Sequence, residues 1–155
     1  MMSNSSTSSS FAHIYKEPIL VTVAYFALYY LFLFSQAAIS LLRYLYATKT
    51  GNEKEVSLRR LKYGSAENDR LLLTLNRSVG NTLEQMVPFL ASLWLHALTL
   101  SPRRAAVIGA IYTFLRSFYP FAFYRGDFSL FLVTLPNYIC IFSLISPVVW
   151  MCLME

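Results

Sequence analysis

The chain has 155 residues, of which 56% are hydrophobic and 14% charged, with a formal net charge of +5. Soluble domains are about 45 to 50% apolar, so a soluble fold is excluded and a membrane protein is expected. Glycine and proline are sparse, and the apolar runs far exceed the roughly ten residues of a membrane strand, which excludes a barrel and predicts an all-α chain. The basic excess lies mostly between two apolar runs, where positive-inside bias accounts for it. No base-reading motif accompanies it, so no nucleic-acid partner is expected. Cys140 and Cys152 are the two cysteines, both in the last apolar run without CxxC spacing, so neither a disulfide scaffold nor a metal site is expected.

Residues 1–15 are expected to form a disordered, Ser-rich leader, and 16–155 a single membrane domain. The first span is predicted from Pro18 to Leu42, with proline suited to the first helical turn and a length that crosses the hydrocarbon core. Gln36 and Ser40 interrupt its second half and are suited to interhelical hydrogen bonds. Arg43 to Arg70 is the one long loop, rich in Lys and Arg, and is expected to be cytosolic with both termini lumenal. The second span runs from Leu71 to Leu100 and stops at Pro102. A tight turn makes the third span, Arg104 to Tyr124, its antiparallel neighbour. The fourth, Phe128 to Leu153, is expected to bend at Pro136 and Pro147. The expected fold is therefore an all-α, up-and-down antiparallel bundle of four transmembrane helices.

Charge inside two of these spans marks the candidate site. A mid-bilayer Arg or Asp costs roughly 2.5 to 3.5 kcal/mol on a translocon scale, so such residues usually face a bundle interior or cavity. At about 100° per residue, Arg77, Asn81, Glu84 and Pro88 share a stripe about 60° wide, with Arg70 on the same line. On the third span Tyr112, Arg116, Tyr119 and Phe123 share a face. One account pairs Glu84 with Arg77 or Arg116. The other starts from the surplus of cations, Arg70, Arg77, Arg116, Arg125 and Arg43 against Glu84. Buried positive charge without acids to match it calls for an anionic ligand, such as a carboxylate-bearing small molecule entering from the cytosol.

The run Arg77-Ser-Val-Gly-Asn81-Thr-Leu-Glu84-Gln-Met-Val-Pro88 resembles the second-helix signature of the MAPEG superfamily, the membrane-associated proteins of eicosanoid and glutathione metabolism. Its proline spacing is closer to the microsomal glutathione transferases than to leukotriene C synthase. Tyr112, Arg116, Tyr119 and Arg125 are similar to the family's third-helix pattern. The resemblance implies a homotrimer in the endoplasmic reticulum or a related membrane, with glutathione bound near the cytosolic face between protomers. It assigns Arg77, Asn81 and Glu84 to the tripeptide, with Arg116 and Tyr119 completing the pocket and Arg70 beside them. The implied activity is glutathione transfer to lipophilic electrophiles or reduction of lipid hydroperoxides, a detoxification chemistry. The thiolate would be stabilised by Arg125, or else by Arg43.

Two departures stand out. Phe123 replaces a tyrosine of the eicosanoid-synthase branch, and Phe128-Ser129-Leu130-Phe131 has no counterpart to that branch's later arginine. Leukotriene synthesis is not expected, and a non-catalytic lipid-binding scaffold, similar to the five-lipoxygenase-activating protein of the family, is the alternative. A pore is not expected, because no pair of broken helices is present.

Overall fold

A computed structural model describes residues 10–50 and 70–154. Most of the Ser-rich leader and most of the basic loop lie outside the described residues. Residues 10–14 form a short helical segment, followed by α1 (Lys16–Lys49), α2 (Arg70–Thr99), α3 (Pro102–Ser117), α4 (Tyr119–Arg125) and α5 (Asp127–Met154). No strand occurs among the described residues, as the long apolar runs require.

Lys16–Lys49, Pro102–Arg125 and Phe128–Met154 are long and apolar enough to cross a membrane. The α1 helix has 34 residues, about 51 Å at 1.5 Å per residue, and so continues two turns past the expected Leu42. The 30-residue α2 is also long enough at about 45 Å, but its polar residues dilute its hydropathy. It lies antiparallel along α1: the Trp94 Nε1–H donates to Thr22 Oγ1 at 3.2 Å, the Phe89 ring packs tilted against Tyr25, and Gln36 Nε2 donates to Asn76 Oδ1 at 2.6 Å. The α2–α3 pair is antiparallel in the same way, with Phe89 against Tyr112 and Thr82 against Arg116. Each of α2 and α3 touches the other, α1 and α5, whereas α1 and α5 take opposite flanks. The helices that carry the charges are thus the central pair.

Which face of α2 looks inward follows from a 3-4 repeat. Leu72, Leu75, Val79, Thr82, Phe89, Leu93 and His96 are buried and Met86 half-buried, the spacing of a left-handed helix-packing seam. Arg70, Arg77 and Glu84 recur every seven residues at the position opposite that seam, and all are exposed. The stripe expected to face the bundle interior therefore faces outward. The apolar seam takes the interior because polar members near it satisfy themselves: the Ser78 and Ser92 hydroxyls donate to the carbonyls of Thr74 and Pro88, each at 2.7 Å.

Four further features set the helix ends and contacts. Ser101 caps α3, its hydroxyl accepting the Arg104 N–H at 3.3 Å with Pro102 in the first turn, as suits an N-terminus. The third span, expected to be continuous, is broken at Phe118, because Pro120 has no N–H to give the Arg116 carbonyl and sits at the start of α4. Gly126 turns the chain into α5 at φ 126°, a region open almost only to glycine. The α5 helix runs through both Pro136 and Pro147, and the His96 Nδ1–H···O=C contact to Leu144, 2.9 Å, ties α2 to it.

At Gly109 side chains of α1 and α2 press closely against α3. A Cβ there would lie 2.7 Å from Leu93 Cδ1 and 2.9 Å from Val21 Cγ1. Both neighbours are buried, so they have little room to yield. Gly109→Ala is expected to destabilise the bundle by about 1 to 2 kcal/mol through overpacking, measured as a lower midpoint of unfolding in mixed detergent micelles. An unchanged midpoint would show that the three helices part there at no cost.

Candidate functional site

The site is built on α2 and α3 at one level of the bundle. Arg116, only 1% exposed, comes from the inward face of α3. Its Nε–H donates to Thr82 Oγ1 at 3.3 Å, an Nη2–H donates to Asn81 Oδ1, and its guanidinium carbon lies 4.7 Å from the centre of the Tyr119 ring. These partners are neutral, so the buried cation is solvated by an amide oxygen, a hydroxyl and a π-face. Tyr25, from α1 and fully buried, donates its hydroxyl to the Thr82 carbonyl at 2.7 Å. A single residue of α2 is thereby tied to both α1 and α3.

The inward face expected for the third span is present: Tyr112, Arg116 and Tyr119 are buried and Phe123 is half-buried. Asn81, also half-buried, stands where the Arg116 network meets the outward row of Arg77, Glu84 and Pro88. The structure therefore separates residues that the stripe grouped together. Asn81 joins Arg116, while Arg77 and Glu84 lie on the outer surface of the bundle.

The remaining candidate cations gather at one end of the bundle. Arg70, in the first turn of α2, places its guanidinium 4.9 Å from the Tyr124 ring centre, which brings the last turn of α4 and its exposed Arg125 to the same end. Arg43 is half-buried on α1, two turns beyond the Gln36 that reaches Asn76. Gln36 thus makes the interhelical bond expected of it. Among the described residues no group of His, Cys, Asp and Glu side chains could hold a metal ion.

Thr82 and Tyr25 were not legible as site residues. Thr82 is an ordinary member of the apolar seam by spacing, and Tyr25 is one aromatic among many on α1. The only available signal was that Thr82 is a hydroxyl residue at a seam position otherwise filled mainly by large apolar side chains.

Fold and side-chain arrangement together define an all-α integral membrane protein, with a buried arginine between its two central helices and an outward row of charge on the second. Residues 19–150 match the sequence model of the MAPEG family, and the chain belongs to that family. It is by that membership a membrane protein of glutathione or eicosanoid metabolism. No curated protein and no solved structure matches the chain.

Proposed function

We propose that the protein is a microsomal glutathione transferase or glutathione-dependent peroxidase acting on lipophilic substrates. The observation that carries this reading is the outward pair Arg77 and Glu84, with half-buried Asn81 beside them, on a helix that lies within a membrane bundle. Such a pair is costly against hydrocarbon. It becomes favourable when a polar ligand and a second protomer cover it, which is the setting of a homotrimer with glutathione between its subunits.

The dimensions fit a tripeptide. Arg77 and Glu84 are separated by a rise of about 10 Å along α2, and three extended residues reach about 10 Å. Glutathione has two carboxylates and one ammonium. Arg77 is complementary to a carboxylate, Glu84 to the ammonium and Asn81 to the backbone between them, with Tyr119 behind and Arg70 at the membrane surface.

A thiol with an ordinary pKa of about 8.5 is a weak nucleophile at neutral pH and needs a nearby cation. Arg125 is assigned that role, with Arg43 as the alternative. In conjugation the sulfur forms a bond to an electrophilic carbon as the leaving group departs with its electron pair, and the thiol proton passes to solvent. In hydroperoxide reduction two glutathiones become the disulfide while the peroxide yields alcohol and water. The endoplasmic reticulum, a cytosolic first loop and lumenal termini complete the proposal.

Conjugation of an aromatic halide and reduction of a lipid hydroperoxide by the purified protein test it. Arg125→Ala is expected to lower the turnover by about tenfold or more, the scale of a lost electrostatic stabiliser. Activity unchanged in both Arg125→Ala and Arg43→Ala would remove both activators.

One observation favours the scaffold reading. An open apolar groove of about 750 Å³ between α1 and α3 is lined by Leu20, Ala24, Leu28, Ala110 and Phe114 among others, a volume suited to a lipid chain. Together with Phe123 and the missing later arginine, it fits a protein that binds lipid without catalysis. Lipid binding with no measurable glutathione affinity would favour this second reading.

A further inference from the structure

The Arg116 network constrains how the site can hold its ligand. A guanidinium has donors and no acceptor, so the amide of Asn81 can meet it only through Oδ1, as it does. That leaves the NH2 group as the remaining polar end of the side chain, on a residue that borders the outward row of Arg77 and Glu84. Arg116 is itself held in place from two other sides. Thr82 takes its Nε–H, and the Tyr119 ring lies against its flat face. Thr82 is anchored in turn through its carbonyl by Tyr25.

We propose that Asn81 is a donor of fixed direction in the glutathione site, binding an acceptor oxygen of the tripeptide, and that Arg116 is a positioning residue that acts on the ligand only through Asn81. This rests on the glutathione reading above and revises one part of it. At 1% exposure, Arg116 is spent on orienting the amide. An unlocked asparagine could present either end to a ligand. With its oxygen turned to Arg116, the NH2 end is the one left to offer a ligand, which favours a carboxylate or peptide carbonyl. The guanidinium charge behind it polarises the amide in the same sense.

A double-mutant cycle tests the assignment, with glutathione affinity read by calorimetry in detergent and fold integrity by thermal melting. Arg116→Met and Asn81→Ala are each expected to weaken binding by about tenfold. The double variant should bind within about twofold of Asn81→Ala alone, because Arg116 has nothing left to act through. Arg116→Lys, which restores a donor and the charge, should recover affinity when Asn81 is present and none when it is alanine. Losses that multiply to about a hundredfold would overturn the proposal by showing that Arg116 reaches the ligand itself.

Asn81→Asp decides the question where Arg116→Met does not fold. It keeps an oxygen for Arg116 but has no NH2, so the melting temperature should hold or rise while affinity falls at least as far as in Asn81→Ala. Full affinity in Asn81→Asp would overturn the donor assignment. No affinity in the unmutated protein would overturn the glutathione reading and this assignment together, whereas binding with independent losses would overturn this assignment alone.

Discussion

Phe89→Ala is expected to destabilise the folded bundle by about 3 to 5 kcal/mol, the range for truncating a buried phenylalanine. Phe89 is fully buried. Its ring centre lies 4.0 Å from that of Tyr112 at an interplanar angle of 12°, and 4.9 Å from that of Tyr25 at 49°. One ring therefore joins α1, α2 and α3. In a bilayer the hydrophobic term between helices is small, because lipid chains are as apolar as the side chains, and packing dominates. What remains is the void, on the order of 100 Å³ at about 24 cal/mol per Å³, plus about 0.5 to 1.5 kcal/mol for each aromatic pair lost. Unfolding in mixed micelles measures the loss, and Phe89→Leu should recover more than half of it. A change below about 1 kcal/mol would mean that the three rings are not a structural unit.

Arg77→Ala is expected to lower glutathione affinity by about 1.5 to 3 kcal/mol, the contribution of one charged hydrogen-bond partner, or roughly 10- to 150-fold. Its signature should be opposite to that of Phe89→Ala. Arg77 is exposed at the position opposite the packing seam, so the melting temperature of the ligand-free protein should hardly move. Calorimetry in detergent measures the affinity. An affinity that survives Arg77→Ala would remove the row's first member from the site, and a fallen melting temperature would assign the residue to structure instead.

The contrast between these two residues of one helix reflects what could be read from the chain. Two periodic signals overlap in α2. The polar one, Arg70, Arg77 and Glu84, is conspicuous because charge is rare in such a segment, and the general tendency of intramembrane charge to face inward assigned it to the bundle interior. The apolar one, from Leu72 through Phe89 to Leu93, has the regular 3-4 spacing that interior packing needs, and it took that place. Its hydroxyl-bearing companions are no obstacle, since Ser78 and Ser92 donate within their own helix. On the third span no such competition existed, and Arg116 lies on the buried face where its alignment with Tyr112 and Tyr119 had set it. The break at Phe118 went unread because Pro120 is compatible with the first turn of a new helix as well as with the interior of a bent one.

Composition and run length by themselves determined an all-α membrane chain with helices in antiparallel sequence, because apolar length and short turns leave few other ways to satisfy backbone groups in lipid. The same one-dimensional pattern brought Arg77, Asn81 and Glu84 onto one side of α2 and Tyr112, Arg116 and Tyr119 onto one side of α3. Only the tertiary structure decided which of those sides meets protein and which meets the outside, and that Arg116 is answered by Asn81, Thr82 and Tyr119 instead of by Glu84. The reason is geometric. Helical periodicity sets the angle between residues of one helix, whereas the rotation of that helix against its neighbours is chosen by the packing of the whole bundle.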